Sequence, residues 1–233
     1  MLEVRGLVVQ RGGKTVVHGI DLDVGRGEIV AMLGPNGAGK SSIVLALAGA
    51  IPRLAGEVRL GGHALDKLSA DVVRRAGLAI VPEGHHVLGA LSVHDNLRAA
   101  AMLLPRADVD DAVHRAQGTF PELKDKLALP GRSLSGGQKQ MVCMAQALIA
   151  RPQVLVVDEL SLGLAPLVVR RLAEVLQRVA SEGVGVLLIE QFTTLALSLA
   201  TRACVLQRGR AVWSGDAQTL REQPDILHGS YLG

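Results

Sequence analysis

The chain is poor in aromatic side chains, which make up 2% of its 233 residues, with one Trp, one Tyr and two Phe. Proteins that bind single-stranded nucleic acid commonly stack bases on aromatic rings, and this composition disfavours such a role. The net charge of +3 comes without a block of basic residues, so charge argues neither for nor against nucleic acid. We therefore predict partners other than nucleic acid.

Cysteine is also scarce, and its placement indicates neither a metal site nor a disulfide framework. Cys143 and Cys204 lie far apart, without a C-x-x-C pair or a histidine spacing typical of zinc. We interpret both as reduced thiols in the hydrophobic core.

No apolar run is long enough to cross a bilayer. The longest, residues 43–51, is about half of the roughly 20 residues that a transmembrane helix needs, and no signal segment opens the chain. The composition, 48% apolar and 20% charged, is typical of a globular protein with a large core. We expect a soluble, intracellular protein.

The most informative stretch is Gly34–Ser41, which fits the pattern G-x-x-x-x-G-K-[ST]. It follows the apolar run 28–33 and precedes the helix-like run 42–50, so the turn lies between a strand and a helix. Glycines let successive N–H groups point toward an anion, and the helix adds its positive end. The predicted polyphosphate cradle consists of Gly34, Asn36, Gly37, Ala38, Gly39, Lys40, Ser41 and Ser42.

Two side chains of this loop have predicted tasks. Lys40 is expected to reach the β and γ phosphates, and the Ser41 hydroxyl to ligate the Mg²⁺ ion that bridges them. The alternative is an ordinary glycine-rich turn before a helix.

Two carboxylates, Asp158 and Glu159, end the apolar run 155–157. In an open parallel sheet, ligands bind beyond the carboxyl ends of the strands, so both acids are expected to face the nucleotide. We predict that Asp158 holds Mg²⁺ and that Glu159 orients and deprotonates an attacking water. Two acids after a strand are by themselves more often a solvated loop, but the phosphate loop upstream favours the functional interpretation.

A second anion site is predicted at residues 134–138, Leu-Ser-Gly-Gly-Gln, where the helical run 138–150 opens. Ser135, Gly136 and Gly137, followed by Gln138, would present a hydroxyl and backbone N–H groups at the positive end of a helix. The alternative is a glycine-containing N-cap turn without a ligand. One chain thus carries two predicted phosphate-binding surfaces that are far apart in sequence.

The apolar pattern predicts an α/β fold in which strands and helices alternate around a doubly wound parallel core. Parallel strands buried on both faces are predicted at 28–33, 78–81, 154–157, 184–189 and 203–206, with a hairpin at 208–210. Antiparallel strands are predicted at 2–9, 16–24 and 56–60. Helices are predicted at 71–76, 91–104, 109–117, 121–127, 138–150 and 168–179.

On these motifs, L-S-G-G-Q above all, the whole chain resembles the ATP-binding subunits of ABC transporters. The resemblance implies a P-loop NTPase fold: a RecA-like parallel core, an antiparallel β subdomain and a helical subdomain. One ABC-type domain would span residues 1–233, with the core and antiparallel sheet at 1–82 and 151–233 and the helical subdomain at about 86–150. The implied activity is hydrolysis of ATP with Mg²⁺, coupled to transmembrane transport.

The resemblance also implies partners. In this family two subunits pack head to tail, so residues 135–138 are expected to act on ATP held by the phosphate loop of a partner. That partner would be a second copy or a homologous ATPase subunit. The pair would bind transmembrane permease subunits on the cytoplasmic face of the membrane, and act indirectly with a solute-binding protein.

Four shorter segments, Ile80–Gly84, Leu162–Pro166, Ile189–Gln191 and Ser230–Gly233, look like the smaller ATPase subunit of branched-chain amino-acid importers. We expect that subtype rather than importers of urea, amides or polar amino acids. ABC-type ATPases of DNA repair, chromosome organisation or translation are the alternative class, but they carry a long coiled-coil insertion or two ATPase domains. A regulatory subunit that does not hydrolyse ATP is a third reading, which the retained loop lysine and acidic pair disfavour.

Several positions depart from the general ABC pattern. Glu83 stands where most members have Gln, and is predicted to ligate Mg²⁺ or position water. Gln191 stands in place of the switch histidine, and can hydrogen-bond the γ phosphate without becoming cationic. Arg11 replaces the aromatic residue that usually stacks on adenine, leaving guanidinium stacking as the predicted contact. Leu160 and Ala165 replace a proline and the D-loop aspartate, which bear on communication between the two ATP sites.

His85 and His86 are adjacent and cannot easily face one metal ion, so we predict solvated side chains. They lie within residues 83–96, where the resemblance implies that a coupling helix of the membrane subunit docks. The alternative is an ordinary surface loop.

Overall fold

The computed structural model describes residues 1–65 and 69–232. Its strands are β1 (Leu2–Arg11), β2 (Lys14–Val24), β3 (Ile29–Leu33), β4 (Arg53–Leu60), β5 (His63–Ala64), β6 (Leu78–Val81), β7 (Val154–Asp158), β8 (Gly185–Glu190), β9 (Arg202–Gln207) and β10 (Arg210–Asp216). Its α-helices are α1 (Lys40–Leu47), α2 (Ala70–Arg75), α3 (Val93–Ala100), α4 (Val109–Thr119), α5 (Gly136–Leu148), α6 (Pro166–Ser181), α7 (Thr193–Leu199), α8 (Ala217–Glu222) and α9 (Asp225–Leu232).

The central sheet has the strand order β10-β9-β3-β8-β7-β6. All neighbours pair in parallel except β10, which turns back antiparallel to β9. Every residue of β3, β7 and β8 is buried, which accounts for their unbroken apolar sequences, since a parallel strand is covered on both faces. The predicted fold class, a P-loop NTPase with a RecA-like parallel core, is confirmed.

A second, antiparallel sheet covers one face of the molecule, with the order β2-β1-β4-β5. Alternate residues of β3 show how the core is divided: Val30 and Met32 pack with the antiparallel sheet, whereas Ala31 and Leu33 face the other side. Helix α1, which follows the phosphate loop, contributes Ile43 to the hydrophobic cluster that contains Val30 and Met32. The loop therefore leads into a helix that is packed among strands of both sheets.

Helices α3, α4 and α5 pack together, and their buried residues, including Leu97, Val113 and Met141, belong to the same cluster as the other face of the central sheet. No helix among the described residues is both long enough and apolar enough to cross a membrane.

The thiols of Cys143 and Cys204 are buried and unpaired, and burial raises their pKa values. The division into a core and a helical subdomain at about 86–150 stays a prediction.

Several helical segments differ from the predicted ones in type or in bounds. The α-helix predicted at 121–127 is wrong, because Pro121–Lys126 forms 3-10 turns in which Leu123 is the one buried residue. Helix α3 ends at Ala100 and continues as a 3-10 turn over Ala101–Leu103. Helices α1 and α5 each begin two residues before the predicted start, so Lys40 and Gly136 are their first helical residues.

Because β3, β6, β7 and β8 run in parallel, their carboxyl ends meet at one edge of the sheet. The phosphate loop follows β3, Glu83 lies shortly after β6, Glu159 follows β7 and Gln191 follows β8. This edge is where an open α/β sheet binds its ligands.

Candidate nucleotide-binding site

The phosphate loop joins β3 to α1 by a path that requires glycine at two positions. A Cβ atom on Gly34 would lie 2.6 Å from the carbonyl oxygen of Leu206, which is too close for atoms that are not bonded. Gly39 has a φ of 107°, and a Cβ atom there would lie 2.9 Å from the carbonyl oxygen of Val16. The loop thus packs by its backbone against β9 and β2.

Backbone hydrogen bonds hold the loop in place from outside. The Gly209 N–H donates to the Ala38 carbonyl at 2.8 Å, and the Gly209 carbonyl accepts from the His18 N–H at 2.8 Å. Within the loop, the Ala38 N–H donates to the Pro35 carbonyl at 3.1 Å. The antiparallel sheet, the β9–β10 turn and the loop are joined in one chain of bonds, so the cradle is preorganised.

Lys40 is buried, and its ammonium group bends back onto its own loop. Its Nζ donates to the carbonyl oxygens of Gly34 at 2.8 Å and Pro35 at 3.2 Å. Burial lowers the pKa of Lys40, while the charges of Glu159 and Asp158 act in the opposite direction. The side chain must leave these carbonyls to reach a phosphate, so its contact with the β and γ phosphates stays a prediction.

The other predicted loop contacts divide by exposure. Asn36, Gly37 and Ser41 are exposed, whereas Ala38 and Ser42 are buried. Of the two serines that open α1, Ser41 is the one accessible to an incoming cation.

Asp158 ends β7 inside the protein, with 4% of the residue exposed. Its Oδ1 atom is buried and has no hydrogen-bond partner among the described residues. Burial, together with the charges of Glu159 and Glu83, raises the pKa of this carboxyl group to about 6, against the opposing effect of Lys40. An unpartnered carboxylate oxygen among acids suits a divalent cation, because Mg²⁺ binds oxygen ligands and offsets their charge.

We expect Asp158→Asn to stabilise the nucleotide-free protein and to abolish Mg²⁺-dependent ATP hydrolysis. The amide removes a buried negative charge that lies among other acids and has an oxygen without a hydrogen-bond partner, which should raise the free energy of unfolding by roughly 1–3 kcal/mol. Chemical denaturation and phosphate release measure the two effects, and the exposed Asp125→Asn is the matched control, in which neither should change. A destabilised variant with full turnover would show that Asp158 holds no cation.

Glu159 follows with its backbone in the left-handed region, at a φ of 53°, which is uncommon for a residue with a side chain. Its N–H donates to the Ile189 carbonyl at 2.9 Å, one residue beyond the paired part of β7 and β8. The side chain is half-buried, and its charge acts on both Lys40 and Asp158. The predicted base therefore lies beside the predicted cation ligand and the loop lysine.

The remaining predicted residues lie around this group. Glu83 is exposed, and its charge also acts on Lys40 and Asp158. Gln191 is half-buried directly after β8, and Arg11 is exposed at the β1–β2 hairpin. The roles of all three stay predictions.

Sequence reasoning missed the role of Glu190, a buried carboxylate that ends β8. Its Oε1 accepts from both the N–H and the hydroxyl of Ser161, each at 3.0 Å, and its Oε2 lies 3.2 Å from the same hydroxyl. Burial raises the pKa of Glu190, whereas its hydrogen bonds with Ser161 lower it. A signal was present, because an acid at the end of an apolar strand needs buried partners.

The L-S-G-G-Q segment forms the N-terminus of α5. Ser135 is the N-cap: its Oγ accepts from the Gln138 N–H at 3.3 Å, and its own N–H donates to the Gln138 side chain at 3.0 Å. Ser135 and Gly136 are exposed, but Gly137 is buried, and a Cβ atom there would lie 2.9 Å from Val168. These residues therefore lie at the end of α5 and not among the acids that follow β7.

The prediction that both histidines are solvated is wrong for His85 and correct for His86, which is exposed. His85 has a φ of 53°, and its Nδ1 lies 2.6 Å from Oε1 of Gln140, a buried residue of α5 that sequence reasoning also missed. The left-handed turn at His85 brings the ring against α5, where Nε2 lies 3.6 Å from the position that a Cβ atom on Gly136 would take. Among the described residues no group of acids, histidines and cysteines has the arrangement of a metal site.

A glycine-rich loop between a strand and a helix, a buried lysine at the start of that helix and an acidic pair after a nearby parallel strand define a P-loop nucleoside triphosphatase. The chain matches the ABC transporter family over residues 17–161. It therefore belongs to that family, and it is an ATP-binding subunit with the ATP-hydrolysing chemistry characteristic of such cassettes.

Three relatives cover nearly the whole chain. BraG of Pseudomonas aeruginosa, a high-affinity branched-chain amino acid transport ATP-binding protein, is 36% identical over 217 residues, 93% of each chain. LptB of Escherichia coli K12, the ATP-binding protein of a lipopolysaccharide export system, is 30% identical over 237 residues, covering 100% of this chain and 97% of its own. A solved structure of an ATP-binding subunit of an ABC transporter superimposes with a TM-score of 0.84 at 29% identity, covering 100% and 96%.

Proposed function

We propose that this chain is the ATPase subunit that energises a membrane importer of branched-chain amino acids. It would act on the cytoplasmic face of the membrane, paired head to tail with a second ATPase subunit and bound to transmembrane permease subunits. A solute-binding protein would deliver the amino acid to the permease. The similarity to BraG and the subtype segments 80–84, 162–166 and 189–191 support this substrate class.

The observation that carries the proposal is the acidic group beside the phosphate loop. Asp158 has a buried, unpartnered oxygen, and its charge and that of Glu159 act on the Lys40 ammonium. Bound ATP would place its β and γ phosphates over the loop, where Lys40 exchanges two backbone carbonyls for phosphate oxygens. Mg²⁺ held by Ser41 and Asp158, with Glu83 nearby, would neutralise charge on the phosphates.

In the hydrolytic step, Glu159 accepts a proton from a water molecule, and the water oxygen forms a bond to the γ phosphorus. The bond from that phosphorus to the β–γ bridging oxygen breaks, and ADP and inorganic phosphate leave. Gln191, which directly follows β8, would hydrogen-bond the γ phosphate, and Arg11 would stack on the adenine.

The exposed end of α5 supports the proposed pairing of two subunits. Ser135 uses its Oγ lone pair on the Gln138 N–H, which leaves its hydroxyl proton for a further acceptor. The first N–H groups of a helix have no partner within that helix, and Gly136 and Gly137 are the first two residues of α5, directly after Ser135. A γ phosphate presented by a partner's loop is the acceptor we propose for all three.

Lipopolysaccharide export is the second candidate function, and the match to LptB over the full length of the chain favours it. The two functions share the ATPase chemistry and differ in the membrane partner and cargo. An ATPase subunit does not contact the cargo in either arrangement.

Uptake of radiolabelled leucine by the source cells, with the chain replaced by its Lys40→Ala variant, distinguishes the two functions. We expect leucine, isoleucine and valine uptake to fall to the level of a deletion strain, while proline uptake serves as the control. Unchanged amino-acid uptake with loss of lipopolysaccharide from the cell surface would replace import by export. Unchanged behaviour in both assays would reject both.

A further inference from the structure

Glu190, which is buried, and Ser161, which is half-buried, form a hydrogen-bonded pair at the edge of the proposed hydrolysis site. Glu190 is 1% exposed, and its Oε1 accepts two hydrogen bonds from Ser161, one from the backbone N–H and one from the hydroxyl, each at 3.0 Å. Neither residue carries a role in the proposed chemistry. The pair links the end of β8 to the segment that follows the end of β7.

The end of β8 also holds Glu159, through a backbone hydrogen bond. The Glu159 N–H donates to the Ile189 carbonyl at 2.9 Å, and two residues later the Ser161 N–H donates to Glu190. Leu160, between them, is fully buried. Residues 159–161 are therefore fixed to the end of β8 at two points, with a buried side chain between.

This attachment coincides with an unfavourable backbone conformation. Glu159 has a φ of 53°, and the left-handed region is unfavourable for a residue with a Cβ atom, because that atom approaches the following carbonyl oxygen. Such a conformation persists only where the surroundings hold it from several sides. The hydrogen bonds on either side of Leu160 supply that restraint.

We propose that Glu190 is a positioning residue: by binding Ser161 it fixes the left-handed backbone of Glu159 and so aims the Glu159 carboxylate at the attacking water. The inference rests on the proposed role of Glu159 as the base. Glu190 acts through an acceptor oxygen, and its negative charge is not required for this task.

Glutamine at position 190 distinguishes the role of the acceptor oxygen from that of the negative charge. Its amide oxygen can take the place of Oε1 and accept from both the N–H and the hydroxyl of Ser161, while the charge is lost. Glu190→Gln should therefore keep the attachment, and Glu190→Ala should remove it. Ser161→Ala removes the hydroxyl bonds and keeps the backbone bond, so its effect should be intermediate.

Steady-state ATP hydrolysis by the full chain with Mg²⁺, together with binding of a fluorescent ATP analogue, tests the proposal. We expect Glu190→Ala to lower kcat by about 10- to 100-fold, since small displacements of a catalytic group cost this much. Its dissociation constant for the analogue should stay within about twofold of the unmodified chain, because Glu190→Ala removes no hydrogen bond of the phosphate loop. Glu190→Gln should keep kcat within about threefold.

Glu28→Ala is the matched control, because the Glu28 carboxylate also accepts a backbone N–H, that of Gly25, at 2.7 Å, but before the start of β3. The kcat of Glu28→Ala should not change.

A kcat of Glu190→Gln as low as that of Glu190→Ala, or an unchanged kcat in Glu190→Ala, would overturn the proposal. If Glu190→Ala does not fold, the Gln and Ser161→Ala variants decide. If Glu159→Gln itself keeps full turnover, the proposed role of Glu159 as the base fails and the positioning role with it, whereas loss in that variant with normal Glu190→Ala rejects the positioning role alone.

Discussion

Glu159→Gln is expected to lower the rate of ATP hydrolysis by about 100- to 10,000-fold, the range typical of a lost general base. Glutamine keeps the size of the side chain and can remain in the left-handed conformation, but it cannot take a proton from water. ATP binding should persist, because the phosphate loop and Asp158 are unchanged. The variant should therefore accumulate as an ATP-bound pair of subunits, which size-exclusion chromatography with Mg²⁺ and ATP would detect.

The control for this variant is Glu174→Gln, an exposed glutamate on α6. It removes the same charge at an exposed position outside the predicted site and should leave turnover and assembly unchanged. Hydrolysis by Glu159→Gln at the rate of the unmodified chain would mean that another group is the base. Glu83 would then be the next acid to replace, since its charge also acts on Asp158.

Lys40→Ala is expected to weaken ATP binding by about 10- to 100-fold, because hydrogen bonds to a charged group contribute roughly 1.5–3 kcal/mol. It should also destabilise the nucleotide-free protein. The buried ammonium group is the cation whose charge offsets those of Asp158, Glu159, Glu190 and Glu83. Isothermal titration with ATP and thermal unfolding would measure the two effects.

Lys124→Ala, an exposed lysine in the 3-10 segment, is the control and should change neither quantity. The two variants should change the stability of the nucleotide-free protein in opposite directions. Asp158→Asn removes one of several neighbouring negative charges, whereas Lys40→Ala removes a positive charge that offsets them. An unchanged ATP affinity in Lys40→Ala would mean that the glycine-rich loop is a turn without a phosphate-binding role.

The strands and the edge of the sheet that holds the site could be predicted because their signals are local. The buried strands β3, β7 and β8 are short apolar runs, and the residues that follow them meet because parallel strands end together. The loop pattern specifies its own geometry through Gly34 and Gly39, where a side chain would strike a carbonyl oxygen.

The contacts that sequence reasoning missed depend on residues far apart in the chain. His85 meets Gln140 because a left-handed turn folds the segment after β6 onto α5, and nothing adjacent to either residue indicates this. Glu190 meets Ser161 because β7 and β8 are neighbours in the sheet. The segment 121–127 was mispredicted for a related reason: its single buried residue, Leu123, supports a turn and not a helical face.

The central claim is that each chain carries two incomplete triphosphate sites, which a second chain completes in the opposite orientation. Lys40→Ala removes the loop half, and Gly136→Asp places a carboxylate at the exposed end of α5, where an added Cβ atom would meet only ordinary contacts at 3.6 Å and 3.7 Å. A pair formed from one chain of each kind contains one complete site and one that is damaged on both sides.

Mixing the two inactive variants and measuring phosphate release tests this claim most directly, with the unmodified chain under the same conditions as the reference. We expect the equimolar mixture to regain about a quarter of the reference turnover, because half of randomly formed pairs are mixed and each has one working site. A mixture as inactive as its two components, while the reference chain hydrolyses ATP, would contradict the account.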